Sequence, residues 1–570
     1  MAGIWKTVKG WLIFSEPERT EKFTLKETPG ESGNGRDKTA KAGSDKKTRK
    51  PGEKDPSGKD EISGKLTENL EYIKSAYTLP DNGDVVLREF DVIIKDRPVP
   101  AFIVFIDGMA DRTVINDDIL QPLMLLSNLN IKGGERDIAE YVRSHLLPHN
   151  QIHQVREHRK VLDEVNFGGC GLYIDGMASA FAADVKGWEH RGVDRPNNEM
   201  VIRGPQEGFN ESLRVNTALI RKRLKDERLV AENVLLGQRS KTPGSLLYIK
   251  DIANDSLVKE VRRRLKGIKV DNVLDTGELE QYIEDSSFLP APQVIATERP
   301  DRVAAALADG RVAIVMNGSP FALIMPATHT DLFHSQEDTY IRFPNANLLR
   351  FIRFLGIFSS LLLPGIYLAI TNFHHEMIPT DLLLAIEASR EKVPFPSIVE
   401  ILIMEVAFEL IREAGIRIPG PIGPTLGIIG ALILGQAAVA ANIVSPILII
   451  IVAVTGIGSF ALPNFSIAFS FRMLRFGYIF LGAMAGLLGI TVGLYLHLVW
   501  LVSAKSFGVP IFAPFAPRTA DVSSDQLTKL PIWRLERRPD FLNPKNNYKQ
   551  RKISRSWRLG EGGEDGGDGE

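Results

Sequence analysis

The sequence predicts a mixed α/β aqueous region of two subdomains, followed by an α-helical polytopic membrane domain. Two observations carry that reading. Between Arg417 and Arg472 run 54 consecutive residues without Asp, Glu, Lys, Arg or His, roughly two membrane-spanning helices of ~20 residues with a turn between them. Ahead of that block, from Leu66 to Arg342, short β-branched runs alternate with helical periodicity, the pattern of a mixed α/β fold. The chain averages hide this division: 69 basic side chains against 70 acidic ones, and 44% apolar residues, are sums over unlike parts.

Residues 1–65 read as a disordered charged tail. From Glu27 to Glu61 the only apolar residues are Ala40 and Ala42, too few to offset the entropy of ordering the chain. Met1 to Phe14 carries Lys6 and Lys9 in a broken apolar stretch, which is not the pattern of a secretory signal. Strands are expected at Asp84 to Ile94, Ala101 to Ile106, Gly171 to Ile174, Leu246 to Ile249, Val294 to Ala296 and Arg311 to Met316. Helices are expected over the basic stretch Gly208 to Leu229 and over Ser256 to Leu265, where Leu257, Val261 and Leu265 form an apolar stripe. The two subdomains, 66–195 and 196–345, meet near Glu189 to Val201. Phe105-Ile106-Asp107-Gly108-Met109 and Tyr173-Ile174-Asp175-Gly176-Met177 look alike; they are either a duplication or the turn chemistry that Asp-Gly supplies anyway.

The membrane domain, 350–505, is predicted from apolar spans at 354–373, 425–444, 446–463 and 478–502. Ser397 and Glu400 have the spacing of a capping box at the start of a further helix, 397–414. Four spans with that helix re-entrant or interfacial put both termini on one side; counting it as a fifth span exports the C-terminal tail. In the tail, 506–570, Lys529 to Arg558 holds ten Lys or Arg against two acids, which favours the cytoplasmic side. Glu561 to Glu570 is glycine and acid only, and both stretches read as mobile.

A net charge of −1 gives no basic excess to follow a phosphate backbone, so nucleic acid is not an expected partner. The lone Cys170 excludes a disulfide framework and a cysteine zinc site. No phosphate loop, nucleophile elbow or zinc-protease motif is present, and Gly237-Gln-Arg-Ser-Lys241-Thr242 reads as a basic turn. His145, His149 and His153 recur every four residues, yet Pro148 breaks the helix that would align them as metal ligands. No catalytic residue, cofactor or metal is expected. Within the apolar block, Glu405, Glu409 and Glu413 recur every four residues beside Arg412, a charged stripe that must face a partner, water or the headgroup interface. Thr425 to Val444 is rich in glycine and alanine, which permits close helix packing. Gly435, Gln436 and Asn442 on it are candidates for a subunit contact bordering a conduction path.

Several blocks together resemble the A subunits of bacterial spore germinant receptors, the GerA type. Arg203-Gly204-Pro205-Gln-Glu-Gly208-Phe209, continuing through Asn216 to Arg221 and Arg223, is similar to that family's Arg-Gly-Pro-Arg-Glu-Gly-Phe block, with Gln206 in place of the usual arginine. Glu298-Arg299-Pro300-Asp301, Phe373-His-His-Glu376-Met377-Ile378-Pro379-Thr380, Pro394-Phe395-Pro396 through Arg412-Glu413-Ala414, and Gly430 through Gly435-Gln436-Ala437-Ala438 are similar too. The likeness runs in order from Leu66 to Leu542. Lys505-Ser506-Phe507-Gly508-Val509-Pro510 and the residues after it resemble receptor A subunits more than their spore-membrane paralogues.

The resemblance implies a non-enzymatic subunit of a nutrient receptor in the inner spore membrane, with its N-terminal domain on the core side. Its implied partners are a transporter-like B subunit, a lipoprotein C subunit and further copies of itself in a ring that forms a nutrient-gated cation channel. Arg203, Gly204, Pro205, Gly208, Phe209 and Asn216 would be structural. A non-conducting membrane scaffold shares these features except ion flow, and a transporter would need more spans than are visible.

Overall fold

The computed structural model of the chain describes residues 60–94, 97–125, 152–187, 195–196, 199–416, 422–519 and 528–549. Most of the charged N-terminal tail, His145, His149 and the acidic C-terminus lie outside the described residues.

The α/β region holds two five-stranded sheets. The first contains β1 (Val85–Ile94), β2 (Arg97–Ile106), β3 (Ile152–Val155), β4 (Cys170–Ile174) and β5 (Ala180–Ala183), in the order β1-β2-β4-β5-β3. The second contains β6 (Leu229–Leu236), β7 (Thr242–Ile249), β8 (Ile295–Thr297), β9 (Val312–Met316) and β10 (Ala322–Met325), in the order β6-β7-β9-β10-β8. Numbered within each sheet, the order is the same, and every neighbouring pair is antiparallel. Helix α1 (Leu66–Ala76) precedes the first sheet and α2 (His158–Asn166) joins β3 to β4. In the second unit α3 (Leu213–Arg223) leads in, α4 (Asp255–Gly267) and α5 (Thr276–Ile283) follow β7, and α6 (Pro300–Asp309) joins β8 to β9. The repeat in topology therefore spans each whole sheet. The two Asp-Gly turns close neighbouring strands of one sheet, each with a methionine N–H donating to the isoleucine carbonyl three residues back, Met109 to Ile106 and Met177 to Ile174. They are turn chemistry.

Every expected strand is present. β3, β5, β6 and β10 were not expected, because Ile-His-Gln-Val alternates weakly and Ala-Phe-Ala-Ala has no β-branched residue. The basic stretch from Gly208 is helical only over α3. Asn216 holds the preceding loop through reciprocal bonds with the Asn210 backbone, and β6 begins at Leu229.

The C-terminal region is helical and apolar: α7 (Phe343–Phe373), α8 (Thr380–Arg390), α9 (Ser397–Ile416), α10 (Ile422–Ala440), α11 (Pro446–Phe460) and α12 (Phe465–Ser503). By length and composition α7 and α12 could each cross a membrane. α12 differs from the single span expected at 478–502. Gly486 leaves the helical region with φ 60° and ψ −144°, and the Tyr478 hydroxyl lies 3.0 Å from His497 Nδ1. A straight helix would separate residues 19 apart by about 28 Å. Residues 465–485 and 487–503 are therefore two arms folded back on each other, and φ > 0 at the corner is a conformation glycine adopts at little cost.

The helices cross tightly at two glycine pairs. A Cβ on Gly482 would stand 2.4 Å from the Gly365 carbonyl oxygen, and one on Gly458 would stand 2.7 Å from that of Gly356. α7 thus packs backbone to backbone against α12 and α11, the close approach that small residues allow.

The α/β region grips this bundle at both ends of its sequence. Ser470 Oγ donates to the Pro290 carbonyl, the Phe333 and Phe471 rings stack at 6.0 Å, and Leu501 and Ala504 share a core with Leu289, Ala291 and Ile511. Just beyond, β11 (Lys505–Ser506) and β12 (Val509–Pro510) form a hairpin whose Phe507 enters the core of the second sheet beneath the Arg264 guanidinium. Residues 528–549 are not a loose tail: Arg538 Nε donates to the Ala308 carbonyl at 2.6 Å and the Lys545 N–H to that of Ile252 at 2.9 Å.

Candidate functional site

The glycine of the Arg203-Gly204-Pro205 motif lies against Tyr340; a Cβ there would stand 2.6 Å from the ring. The Pro205 carbonyl accepts from Arg299 Nη2 at 2.9 Å. Arg299, almost fully buried, also donates to the Glu199 carbonyl and to the Asp301 carboxylate. Asp301 in turn accepts the Tyr340 hydroxyl at 2.6 Å. The Phe209 N–H donates to the Glu298 carbonyl and its ring joins the core, where Gly208 is also buried. Arg203 itself is exposed. The motif therefore builds a buried polar knot tied to the one-turn helix Glu337–Tyr340 just ahead of α7.

Asp338 of that turn is the second half of the junction. Its carboxylate takes two bonds from Arg353, at 2.6 and 2.9 Å, and one from Arg350 at 3.4 Å, both from the first turns of α7. Lys529, after the last apolar helix, is buried and donates to the carbonyls of Asp338, Thr339 and Ile341. These are the unpaired carbonyls that every helix end exposes, and an ammonium is suited to them by charge. Asn347 of α7 exchanges bonds with the Lys529 backbone. The start of α7 and the segment that follows the last helix thus meet at one point.

Inside the bundle, the carboxylate stripe of α9 meets α12. Glu405, wholly buried, lies 2.8 Å from Arg475, and Glu409 lies 3.0 Å from Arg475 and 3.4 Å from Arg472. Arg412 is 3.6 Å from Glu409 and donates to Ser459 Oγ of α11. The sequence named the carboxylates and not these partners, although Arg472 and Arg475 stand out at the end of the uncharged run. Glu400 does not complete a capping box. α9 begins at Ser397 itself, its first turn closed on the Pro396 carbonyl, and Ser397 Oγ has no hydrogen-bond partner among the described residues. Glu400 Oε2 instead accepts from the N–H of Ser445, the N-cap of α11, at 3.0 Å.

On α10, Gly435 faces α11, where a Cβ would meet Ile449 at 3.3 Å, while Gln436 points outward and is exposed. Asn442 lies past the helix that was expected to contain it. The Ile443 N–H returns to Ala438 and the Asn442 N–H to Val439, and Asn442 has φ 54°, the left-handed residue of a Schellman stop.

A cavity of about 630 Å³ opens between the two sheet subdomains. Asp107 on one wall pairs with Arg112 at 2.6 Å and with Arg214 from the opposite wall at 3.0 Å, and Glu207 pairs with Lys222. Asp111, also on its lining, accepts from the Thr113 and Val114 N–H groups. Groups of His, Cys, Asp and Glu arranged for a metal are absent among the described residues.

An α/β domain bolted to an apolar helical bundle defines the class of protein, and sequence comparison supplies the family. Residues 71–541 match the model of the Bacillus/Clostridium GerA spore germination protein. The chain belongs to that family. It is 39% identical over 494 residues to spore germination protein KA of Bacillus subtilis (strain 168), covering 87% of this chain and 90% of that one. It is 36% identical over 487 residues to spore germination protein GerLA of Bacillus cereus, covering 85% and 97%. YfkQ, an uncharacterized membrane protein of Bacillus subtilis (strain 168), aligns at 39% over 493 residues, covering 86% and 94%. The crystal structure of the N-terminal domain of the A subunit of the Bacillus megaterium spore germinant receptor GerK3 aligns at 32% identity, with a TM-score of 0.36, over 47% of this chain and 96% of that one.

Proposed function

We propose that this chain is a multi-pass, non-enzymatic membrane subunit of a nutrient-responsive germination receptor, and that copies of it assemble around a cation path that opens when a partner subunit binds a nutrient. The observation that carries the membrane part is the division of the helical bundle into an apolar exterior and a charged interior. Ile450, Ile457, Phe469, Met484 and Leu488 face outward, whereas Glu405 and Arg475 are sealed inside. An exposed apolar surface of this extent suits lipid and not water. The helices then alternate in direction: α7 outward, α9 inward, α10 outward, α11 inward and the two arms of α12 outward and back. That path leaves residues 505–519 and 528–549 on the side of the α/β region, taken here as the spore-core side.

Self-association is supported by α10, which packs on α9 and α11 and leaves Ile433, Gln436 and Ala437 open. A neighbouring copy covering this face would place Gln436 at or beside the path. A transporter-like B subunit and a lipoprotein C subunit are the proposed partners for nutrient recognition. The test is cation flux through vesicles holding the full chain with both partners, challenged with a panel of amino acids, sugars and nucleosides. Flux that follows one nutrient and is lost or altered in Gln436→Leu supports the channel; a nutrient-responsive complex that never conducts leaves the scaffold reading in its place.

A further inference from the structure

Between α5 and β8 the second sheet subdomain extends a loop, Ser286-Ser-Phe-Leu-Pro-Ala-Pro292, that is closed at its base by one side chain. The Gln293 amide, fully buried, accepts from the Asp285 and Ser286 N–H groups at 2.9 and 3.0 Å and donates to the Ser286 carbonyl at 2.5 Å. Asp285 adds a second fastening, 2.5 Å from Arg264 and accepting the Phe507 N–H at 2.6 Å. The tip of the loop meets α12 twice: the Pro290 carbonyl accepts from Ser470 Oγ, and Leu289 and Ala291 share a core with Leu501 and Ala504. Beside these buried neighbours Phe288 is 59% exposed.

The fold-back of α12 fixes the depth of that tip. Ser470 is 16 residues from the Gly486 corner and Leu501 is 15, about 24 and 22 Å along their arms. A hydrocarbon core is about 30 Å thick. In a bilayer that the two arms enter and leave, with the corner at its remote face, both contacts lie no higher than the near headgroups. The exposed neighbours agree: Phe469 and Met473 flank Ser470, and Leu498 and Val502 flank Leu501, all of them apolar and open. A single exposed phenylalanine on a water-facing loop is ordinary; one seated among side chains that the bundle turns to lipid is not. The backbone of the loop suits that place as well. Pro290 and Pro292 have no N–H, the Pro290 carbonyl is taken by Ser470, and the Leu289 N–H donates to the Ser286 carbonyl, so part of its polarity is satisfied before it meets lipid.

We propose that the Ser286–Pro292 loop is a membrane wedge, with the Phe288 ring inserted at the interface of a phospholipid bilayer beside the two arms of α12. The proposal rests on the membrane-spanning reading of the bundle and adds to it a lipid contact made by the α/β region itself. The ring holds the second sheet at the bilayer surface, and Asp285 links the wedge directly to the Phe507 hairpin that follows α12. A phenyl ring has no group to bond a headgroup, so its removal from water is the whole of its contribution.

The test uses the full chain in vesicles of phosphatidylcholine and phosphatidylglycerol, with bimane on a single introduced cysteine: Phe288→Cys, Met473→Cys as the lipid reference, or the exposed Glu71→Cys on α1 as the aqueous one. Cys170 is buried with its thiol pushed up to about 12, so it stays unlabelled. Brominated acyl chains should quench the label at Phe288→Cys at least half as strongly as at Met473→Cys, and iodide in the buffer should quench it far less than at Glu71→Cys. With the label moved to Ser287→Cys, which keeps the ring, adding Phe288→Glu should abolish the lipid quenching. Iodide quenching equal to that at Glu71→Cys overturns the wedge, and so does a label that neither quencher reaches, since the ring then lies against protein, a second copy included. Lipid quenching at Ser287→Cys that survives Phe288→Glu overturns the role of the ring. Lipid quenching at Met473→Cys with none at Phe288→Cys removes the wedge alone; its loss at both removes the membrane reading as well.

Discussion

The two sheet subdomains share a strand order and differ in what they hold. The first keeps its cores nearly to itself, one around Phe181 and Leu172, the other around Tyr77 and Phe102. The second opens both faces to the helical region: Phe507 enters one core, and Leu361, Phe471 and Ile490 enter the other. The same fold thus serves once as a passenger and once as an anchor. The passenger is joined to the anchor through Arg221, almost fully buried, which pairs with Asp84 at 2.5 and 2.7 Å and also bonds Asn82.

That contrast can be broken at several points. Emptying the anchor core with Phe507→Ala should cost about 3–5 kcal/mol and raise amide exchange in the second subdomain and at the ends of α12. Phe102→Ala should cost a similar amount and leave the helices protected. If both variants loosen the helices equally, the division into passenger and anchor is wrong. Arg221→Met should cost about 3 kcal/mol, since it leaves Asp84 and Asn82 without their shared cation, and the increase in exchange should be confined to the first subdomain and the edge of β6.

Acid sharpens the comparison, because each subdomain buries a neutral histidine. His158 stacks on Tyr72 and sits 3.1 Å from the Tyr173 hydroxyl, and burial lowers its pKa to about 4. Burial, then the nearby His497, lowers that of His329 to about 4 as well. The unfolded chain, near 6.5, takes up protons first, so the stability that each neutral ring confers is intact above about pH 6.5 and lost as pH falls toward 4. Each could contribute up to about 3 kcal/mol of that loss. His158→Phe should flatten the pH dependence of unfolding in the first subdomain alone; an unchanged acid midpoint there would remove the histidine from the explanation. The smallest effect is expected at the junction, where Tyr340→Phe takes one bond from Asp301 and should cost about 1 kcal/mol, read as a small fall in the melting temperature of the full chain.

Much of this architecture is legible in the sequence for a plain reason. Runs such as Ala101 to Ile106 and the uncharged block after Arg417 report local burial, which side-chain type reflects directly. What stays hidden depends on partners far along the chain. The Glu405 ladder is visible as a stripe, but its arginines lie more than sixty residues away on an antiparallel arm. The Ser397–Glu400 spacing satisfies a local rule, yet Glu400 caps a different helix, 45 residues on. Asn442 looks like a polar residue inside a span until its backbone shows it to be the stop. Gly365 and Gly482 resemble many other glycines, and only the crossing of their helices gives them a role.

The fold-back at Gly486 has one more consequence. With α12 returning to its starting side, the end of the bundle remote from the sheets is presented, among the described residues, by three stretches: 374–396 with α8, the turn at 441–445, and the Gly486 corner, where a Cβ would meet Phe373 and His374. A contact made from that side therefore meets one short helix and two bends, and a chain this long offers there a surface of only a few dozen residues.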